Sequence, residues 1–271
     1  MRVAFATEAA PGQVNEDYVA VAPDVAVLLD GAGTPPGAES GCVHGTAWYS
    51  RTLGSLLVAS MSRGADSLAG TLADAIKAVA GLHDGACDLS HPGTPSATVI
   101  MLRRSIDVLE WLVLADSTLL LDLGTAEPMV ITDDREALVG ARYRAAMDAL
   151  DSGSPAHVAA RRDYVESMRE HRNRDGGFWV AATDPLAVEQ ALVGAVPAAD
   201  VRAAALLSDG ASRLVDRFGL ATWQQTLDGL HRYGPADLIA TVRAAEESDA
   251  DGRRWPRGKT HDDATALYCR F

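Results

Sequence analysis

The sequence predicts an α+β protein built on antiparallel sheets. Its strand-length apolar runs come in groups and do not alternate one-for-one with helices, the connections inside those groups are short, and helical periodicity is confined to separate blocks. The order is strands, two helices, strands, helices, strand, without the regular βαβ alternation of a parallel sheet.

Residues 2–7 (RVAFAT) and 17–30 (DYVAVAPDVAVLLD) read as strands, the second broken into a hairpin at Pro23-Asp24. Gly, Pro and small residues at 31–41 end it. Residues 41–60 read as a helix with Trp48, Leu53, Leu56 and Leu57 on one side. The next helix, 65–82, is clearer: Ala65, Leu68, Ala69, Leu72, Ala73, Ile76, Val79 and Ala80 follow the i, i+3, i+4, i+7 rhythm. Four strands follow at 96–104, 106–116, 118–124 and 128–133, read as an antiparallel meander. Residues 135–150 and 156–172 are Arg- and Ala-rich helices split by DSGSP (151–155), and GFWVAA (177–182) and 201–209 return to strand. Helices are expected at about 214–230 and 235–248, then a polar, mobile loop at 249–261, then a closing strand, ATALYCRF.

The chain has 271 residues, 48% of them hydrophobic, enough for a sizeable core. With 24 Lys+Arg against 37 Asp+Glu the formal net charge is −13, which argues against nucleic acid or an anionic membrane as partner. A phosphorylated substrate would need a local positive focus, which bound cations supply. Cys42, Cys87 and Cys269 are odd in number and widely spaced, and neither a metal spacing nor a disulfide framework is read from them. The N-terminus is too short and too soon acidic for a signal peptide, and no apolar run has transmembrane length, so the expectation is a reduced, cytoplasmic, soluble protein.

The chemistry-bearing pattern is acidic. Two apolar runs lead straight into Asp-Gly-Ala, in VAVLLDGAG (25–33) and AALLSDGAS (204–212). Glu16 and Asp17 begin the second strand, Asp30, Asp116 and Asp209 end strands, and Asp262 and Asp263 begin the last. Singly, each has a plainer explanation as a turn or helix-cap residue. Gathered at one sheet rim, their like charges would repel unless neutralised, and oxygen-only clusters suit Mg²⁺ or Mn²⁺.

The ordered set NEDYVAV (15–21), LLDGAG (28–33), PSATVIML (95–102), LADSTLLL (114–121), LLSDGAS (206–212) and HDDATALY (261–268) resembles the metal-dependent serine/threonine protein phosphatases of type 2C, and covers nearly the whole chain. The resemblance implies a single domain over 1–271, a four-layer αββα sandwich of two packed antiparallel sheets flanked by helices, with 135–180 a divergent helical insert. It implies that Asp30, Asp209 and Asp262 ligate one metal and do the catalytic work through metals and water. Asp30, the Gly31 carbonyl and Glu16 would serve the second, Asp17 giving outer support, and Asp116 would join Asp209 near a third. Two Mg²⁺ or Mn²⁺ ions, with a third left open, would share a hydroxide that attacks a phosphoserine or phosphothreonine of a protein substrate; the oligomeric state is not indicated. Asp263 matches a position often Asn in the family.

The family's phosphate-gripping Arg, four residues before the Glu, is Gly12 here, the His that often follows Asp-Gly is Ala32, and the Gly of Gly-Asp-Ser is Ala115. Arg161, Arg162, Arg169 and Arg172 are candidates for the lost arginine, beside a plainer reading as an amphipathic surface helix. The second functional reading is a catalytically weak, phosphatase-like module that binds phosphoprotein. A third, a helical His-Asp phosphohydrolase site from His83-Asp84 and His261-Asp262, fails because the segment after His261 is strand-like. The other histidines are read as scattered surface or core residues.

Overall fold

The computed structural model describes residues 1–35, 38–64 and 67–271; Ala65, assigned above to a helix, and the Pro36-Gly37 step lie outside the described residues. Ten strands form two five-stranded sheets, every pairing antiparallel. One sheet has the order β1 (Arg2–Glu8), β10 (Ala264–Arg270), β9 (Ala203–Leu207), β6 (Thr118–Asp122), β7 (Met129–Ile131). The other runs β2 (Tyr18–Ala22), β3 (Val25–Ala32), β4 (Ser96–Arg104), β5 (Val108–Leu114), β8 (Leu192–Pro197).

Strand periodicity explains the layering. On β3, Ala26 and Leu28 face the opposing sheet, while Val27 and Leu29 face α1 (Thr46–Met61) and α2 (Leu68–Leu82). On β9, Ala204 and Leu206 face the opposing sheet, while Ala205 and Leu207 face α6 (Asp209–Asp216), α7 (Trp223–Arg232) and α8 (Pro235–Ser248). Both faces of each sheet are therefore buried, which is why the central strands read as unbroken apolar runs. Local caps fix the helix starts: Ser67 accepts from Gly70 N–H, and Thr222 with Gln225 forms a capping box.

Several expectations are corrected. The four strands read as one meander are split between the sheets, because the chain crosses from β5 to β6 over 115–117. Local pattern fixes which residues are strand but not which sheet receives them. The first helix starts at Thr46, behind Gly45 with φ 79°, which leaves 41–45 in a loop. The block 135–150 is two short helices, α3 (Arg135–Gly140) and α4 (Ala145–Asp148), followed by α5 (Pro155–Arg169). GFWVAA makes only isolated bridges, Ala97 with Ala181 and Arg172 with Phe178. Strand β8 was missed because it is an edge strand with no buried residue, so it carries little apolar alternation.

Segment 249–261, expected to be mobile, is tied down. Arg257 is only 2% exposed; it pairs with Asp249 at 2.9 Å and donates to the carbonyls of Glu246, Asp249, Trp255 and Thr260. A buried guanidinium can satisfy five donors this way, which read from sequence only as polarity.

Candidate metal centre at the sheet rim

The register brings the acidic strand ends to one rim of the sandwich. Asp30 pairs with Thr98 at the start of β4, Leu207 pairs with Thr118 at the start of β6, and Glu8 pairs with Ala264 at the start of β10. The same alternation that sends Ala26 and Leu28 between the sheets sends Asp30 there too. Asp17 shares the parity of Val19 and also lies between the sheets.

Asp17, Asp209, Asp262 and Asp116 all lie close enough to Asp30 for their charges to act on it. The Asp209 backbone N–H donates to Asp30 Oδ2 at 3.2 Å, so Asp209 opens α6 and does not end a strand. Burial pushes the Asp30 carboxyl well above the usual carboxylate range, and Asp17, Asp209, Asp262 and Asp116 push it the same way. Asp209 is raised by burial and then by Asp262; Asp116 is raised well above its usual range by burial and then by Glu136 and Asp209. Glu16 is raised by burial, against the pull of Lys259.

Asp17 is the most telling. It is 5% exposed, and both carboxylate oxygens are buried without a hydrogen-bond partner. Thr265 Oγ1 bonds Thr7 Oγ1 at 2.7 Å and Ser208 Oγ accepts from Thr265 N–H at 2.9 Å; both hydroxyls pull the Asp17 carboxyl down, yet neither meets hydrogen-bond geometry with it. Burial raises the Asp17 carboxyl to about 7, with Asp209 and Asp263 adding to the rise. An orphaned buried carboxylate among three other acids is an arrangement a divalent cation satisfies.

The two Asp-Gly steps have one cause, close backbone approach. A Cβ on Gly31 would sit 2.5 Å from the Glu16 carbonyl oxygen and 2.8 Å from Ser50 Oγ; one on Gly210 would sit 1.9 Å from the Asp263 carbonyl oxygen. Each glycine lets an acid-bearing segment lie against the backbone of another acid.

The closing Asp-Asp pair divides its duties. Asp263 accepts from the N–H of Ala10 at 2.8 Å and of Glu16 at 2.7 Å, clamping the β1–β2 connection. Asp262 meets cations: Arg213 Nη2 donates to its Oδ2 at 2.7 Å, and Lys259 Nζ pairs with its Oδ1. Burial would raise the Asp262 carboxyl, but Lys259 and Arg213 outweigh burial and hold it below its usual range. Residues Lys259, Arg213, Glu136 and Asp216 belong to this neighbourhood and were not singled out from sequence. They sit on helices or in the 249–261 segment, away from the strand-end pattern that flagged the others. Arg213, one helical turn from Asp209, was the readable signal.

A linkage follows from these shifts. Asp17, Asp30, Asp116 and Asp209 hold protons in the folded chain that the unfolded chain has released. Each contributes stability that is complete below the ordinary carboxylate range and is lost as pH rises through its own raised value, about 7 for Asp17. Asp262 acts in the opposite sense. The metal-free chain is therefore expected to melt at a lower temperature at pH 8 than at pH 5, with Mn²⁺ restoring most of the difference. A metal-free melting point that climbs from pH 5 to pH 8 would contradict this.

Ala115, before Asp116, has φ 72°. An L-residue there is strained, which gives the glycine of the resembling family a physical reason. Ala115→Gly is expected to stabilise the chain by roughly 0.5–1 kcal/mol, read as a higher urea midpoint.

Comparison with known proteins supports the fold. No protein-family model matches the sequence, and none of the curated proteins matches it. Among solved structures, a bacterial serine phosphatase carrying a point mutation aligns at 12% identity with TM-score 0.59, covering 100% of this chain and 98% of its own. The serine/threonine phosphatase Stp1 from Staphylococcus aureus aligns at 14% identity and TM-score 0.56, covering 99% and 94%. The phosphatase PstP from Mycobacterium tuberculosis aligns at 17% identity and TM-score 0.55, covering 100% and 98%; a PstP catalytic domain in complex with two manganese ions aligns at 16% and 0.54, covering 98% and 96%. The fold of this chain is that of the bacterial type 2C serine/threonine phosphatases.

Proposed function

We propose that the whole chain, 1–271, works as one metal-dependent protein serine/threonine phosphatase, in a reducing cytoplasm. The observation that carries this reading is Asp17, a buried carboxylate with no partner, set among Asp30, Asp209 and Asp116 in a phosphatase fold.

Asp17, Asp30 and Asp209, with Glu16 and the Gly31 carbonyl, would hold two Mg²⁺ or Mn²⁺ ions; Asp116 beside Glu136 would serve a third. When bound, such ions acidify a water and neutralise charge on a phosphoryl group. Asp262 takes part as a ligand only if Lys259 yields its oxygen; until then Lys259 offsets charge there. Asp263 holds Glu16 in place through the Glu16 backbone N–H.

The phosphate grip lost at Gly12 is assigned to Arg161. It forms no ion pair within 4.0 Å among the described residues, yet it feels the charges of Asp262 and Glu16 while burial lowers its pKa. A guanidinium so placed can present a planar fork to a phosphate. Hydrolysis of a phosphoserine peptide should require Mn²⁺ or Mg²⁺ and stop with excess EDTA. Arg161→Ala should raise KM by about tenfold or more, the loss of one charge-assisted contact, with little change in kcat. Metal-independent hydrolysis, or none of this peptide under any metal, would remove the proposal.

A further inference from the structure

A second group of metal-ligating side chains lies outside the acidic rim. Cys42 and His44 stand in the loop before α1; His83 caps the C-terminus of α2, and Cys87 follows four residues later. One ligand atom from each of the four lies within 4.8 Å of all the others. His44 Nδ1 is 3.4 Å from Cys87 Sγ and 3.8 Å from Cys42 Sγ, and His83 Nδ1 is 3.7 Å from Cys42 Sγ.

These separations have a chemical meaning. A tetrahedral site with Zn–S of about 2.3 Å and Zn–N of about 2.0–2.1 Å has sulfur-to-nitrogen edges of about 3.6 Å. We propose that Cys42, His44, His83 and Cys87 form a structural Zn²⁺ site. This proposal replaces the reading of the cysteines as unrelated, of His44 as scattered and of His83 as half of a His-Asp pair: the pairs C-x-H and H-x3-C are far apart in sequence, and only packing of α1 against α2 joins them.

The surroundings are built for the purpose. Asp84 (φ 45°) and Gly85 (φ 72°) turn the chain sharply after His83, returning Cys87 toward His44. Asp88 N–H donates to the Gly41 carbonyl at 2.8 Å, fastening the two ligand loops together. Val43 N–H donates to Cys87 Sγ at 3.4 Å, the kind of backbone support that steadies a metal-bound thiolate. Trp48 stacks on His44 at 4.3 Å between ring centroids and meets His83 edge-on at 4.9 Å, orienting both imidazoles. Cys42 and His83 are buried, Cys87 is half-buried, and His44 closes the solvent side.

The ligand set selects the ion. Two sulfurs and two imidazole nitrogens suit Zn²⁺ and disfavour Mg²⁺ and Mn²⁺, whereas the oxygen-only rim has the reverse preference. Four protein ligands leave no open position, so the site is structural. It would pin residues 38–45, which lead into α1, to the end of α2. The inference stands independently of the phosphatase reading.

The test is a Co²⁺ titration of the reduced, metal-stripped full chain in excess MgCl₂. One equivalent of Co²⁺ should give thiolate-to-cobalt charge transfer and the intense visible bands of a tetrahedral site, and one equivalent of Zn²⁺ should bleach them. Cys87→Ser and His83→Ala should weaken Zn²⁺ binding by more than about 100-fold, beyond what losing an outer partner costs, while Asp30→Asn should leave it unchanged. Only weak octahedral bands, a Cys87→Ser chain that binds Zn²⁺ as tightly as the parent, or a Cys42–Cys87 disulfide whose reduction yields no Zn²⁺ uptake would each overturn the proposal. If the His83 variant fails to fold, the titration of the unaltered chain and of Cys87→Ser decides.

Discussion

Asp30→Asn should lower kcat/KM for a phosphoserine peptide by at least about 100-fold, more than the 10–100-fold that loss of a merely supporting group costs at a metal site. The same substitution should stabilise the metal-free chain. Asp30 is pushed well above the carboxylate range first by burial and then by four aspartates, so a neutral isostere removes repulsion without leaving a cavity. Its metal-free melting point at pH 8 should rise by about 2–4 °C or more, the response of a chain of this size to about 1 kcal/mol. Added Mn²⁺ should then raise that melting point much less than it raises the parent's. Full activity with an unchanged melting point would mean that Asp30 neither binds metal nor stores repulsion.

Glu246→Gln should be the most destabilising of the conservative changes. Glu246 is fully buried on α8 and accepts from Arg213 Nη1 at 2.6 Å and Arg243 Nη1 at 2.7 Å. Those arginines reach the rim: Arg213 pairs with Asp262, and Arg243 donates to the carbonyls of Glu8 and Asp262. A glutamine keeps the shape but turns an NH₂ toward a guanidinium and leaves two buried cations sharing less negative charge. Removing one partner of a buried ion pair costs about 3–5 kcal/mol. The urea midpoint should fall accordingly, and activity at low temperature should fall with it, because Asp262 loses its anchor. A change under about 1 kcal/mol would show that water reaches the pair.

Much of this was legible in the sequence because it is local. The hairpin at Pro23-Asp24, the strands other than β8 and the acids of five of the six motifs all follow from short-range pattern. What was not legible depends on the third dimension. Periodicity cannot tell that β5 and β6 belong to different sheets, and an exposed edge strand such as β8 carries almost no apolar signal. The 249–261 segment looked like a solvated loop because Arg257 satisfies its donors with backbone carbonyls, which leave no trace in composition. The Cys42, His44, His83 and Cys87 cluster is formed by two helix ends, and its halves are each too short to be a motif. Lys259 was passed over because a lysine near an aspartate is commonplace, and nothing in the sequence shows that its partner Asp262 is buried.

The most direct measurement is an anomalous difference map from a crystal grown with Mn²⁺ and recorded at the manganese edge. The account predicts peaks between the sheets within coordination distance of Asp17, Asp30 and Asp209, at the rim where Glu16 and Gly31 meet. A map with no manganese there, in crystals of protein that still hydrolyses the phosphopeptide, would contradict it.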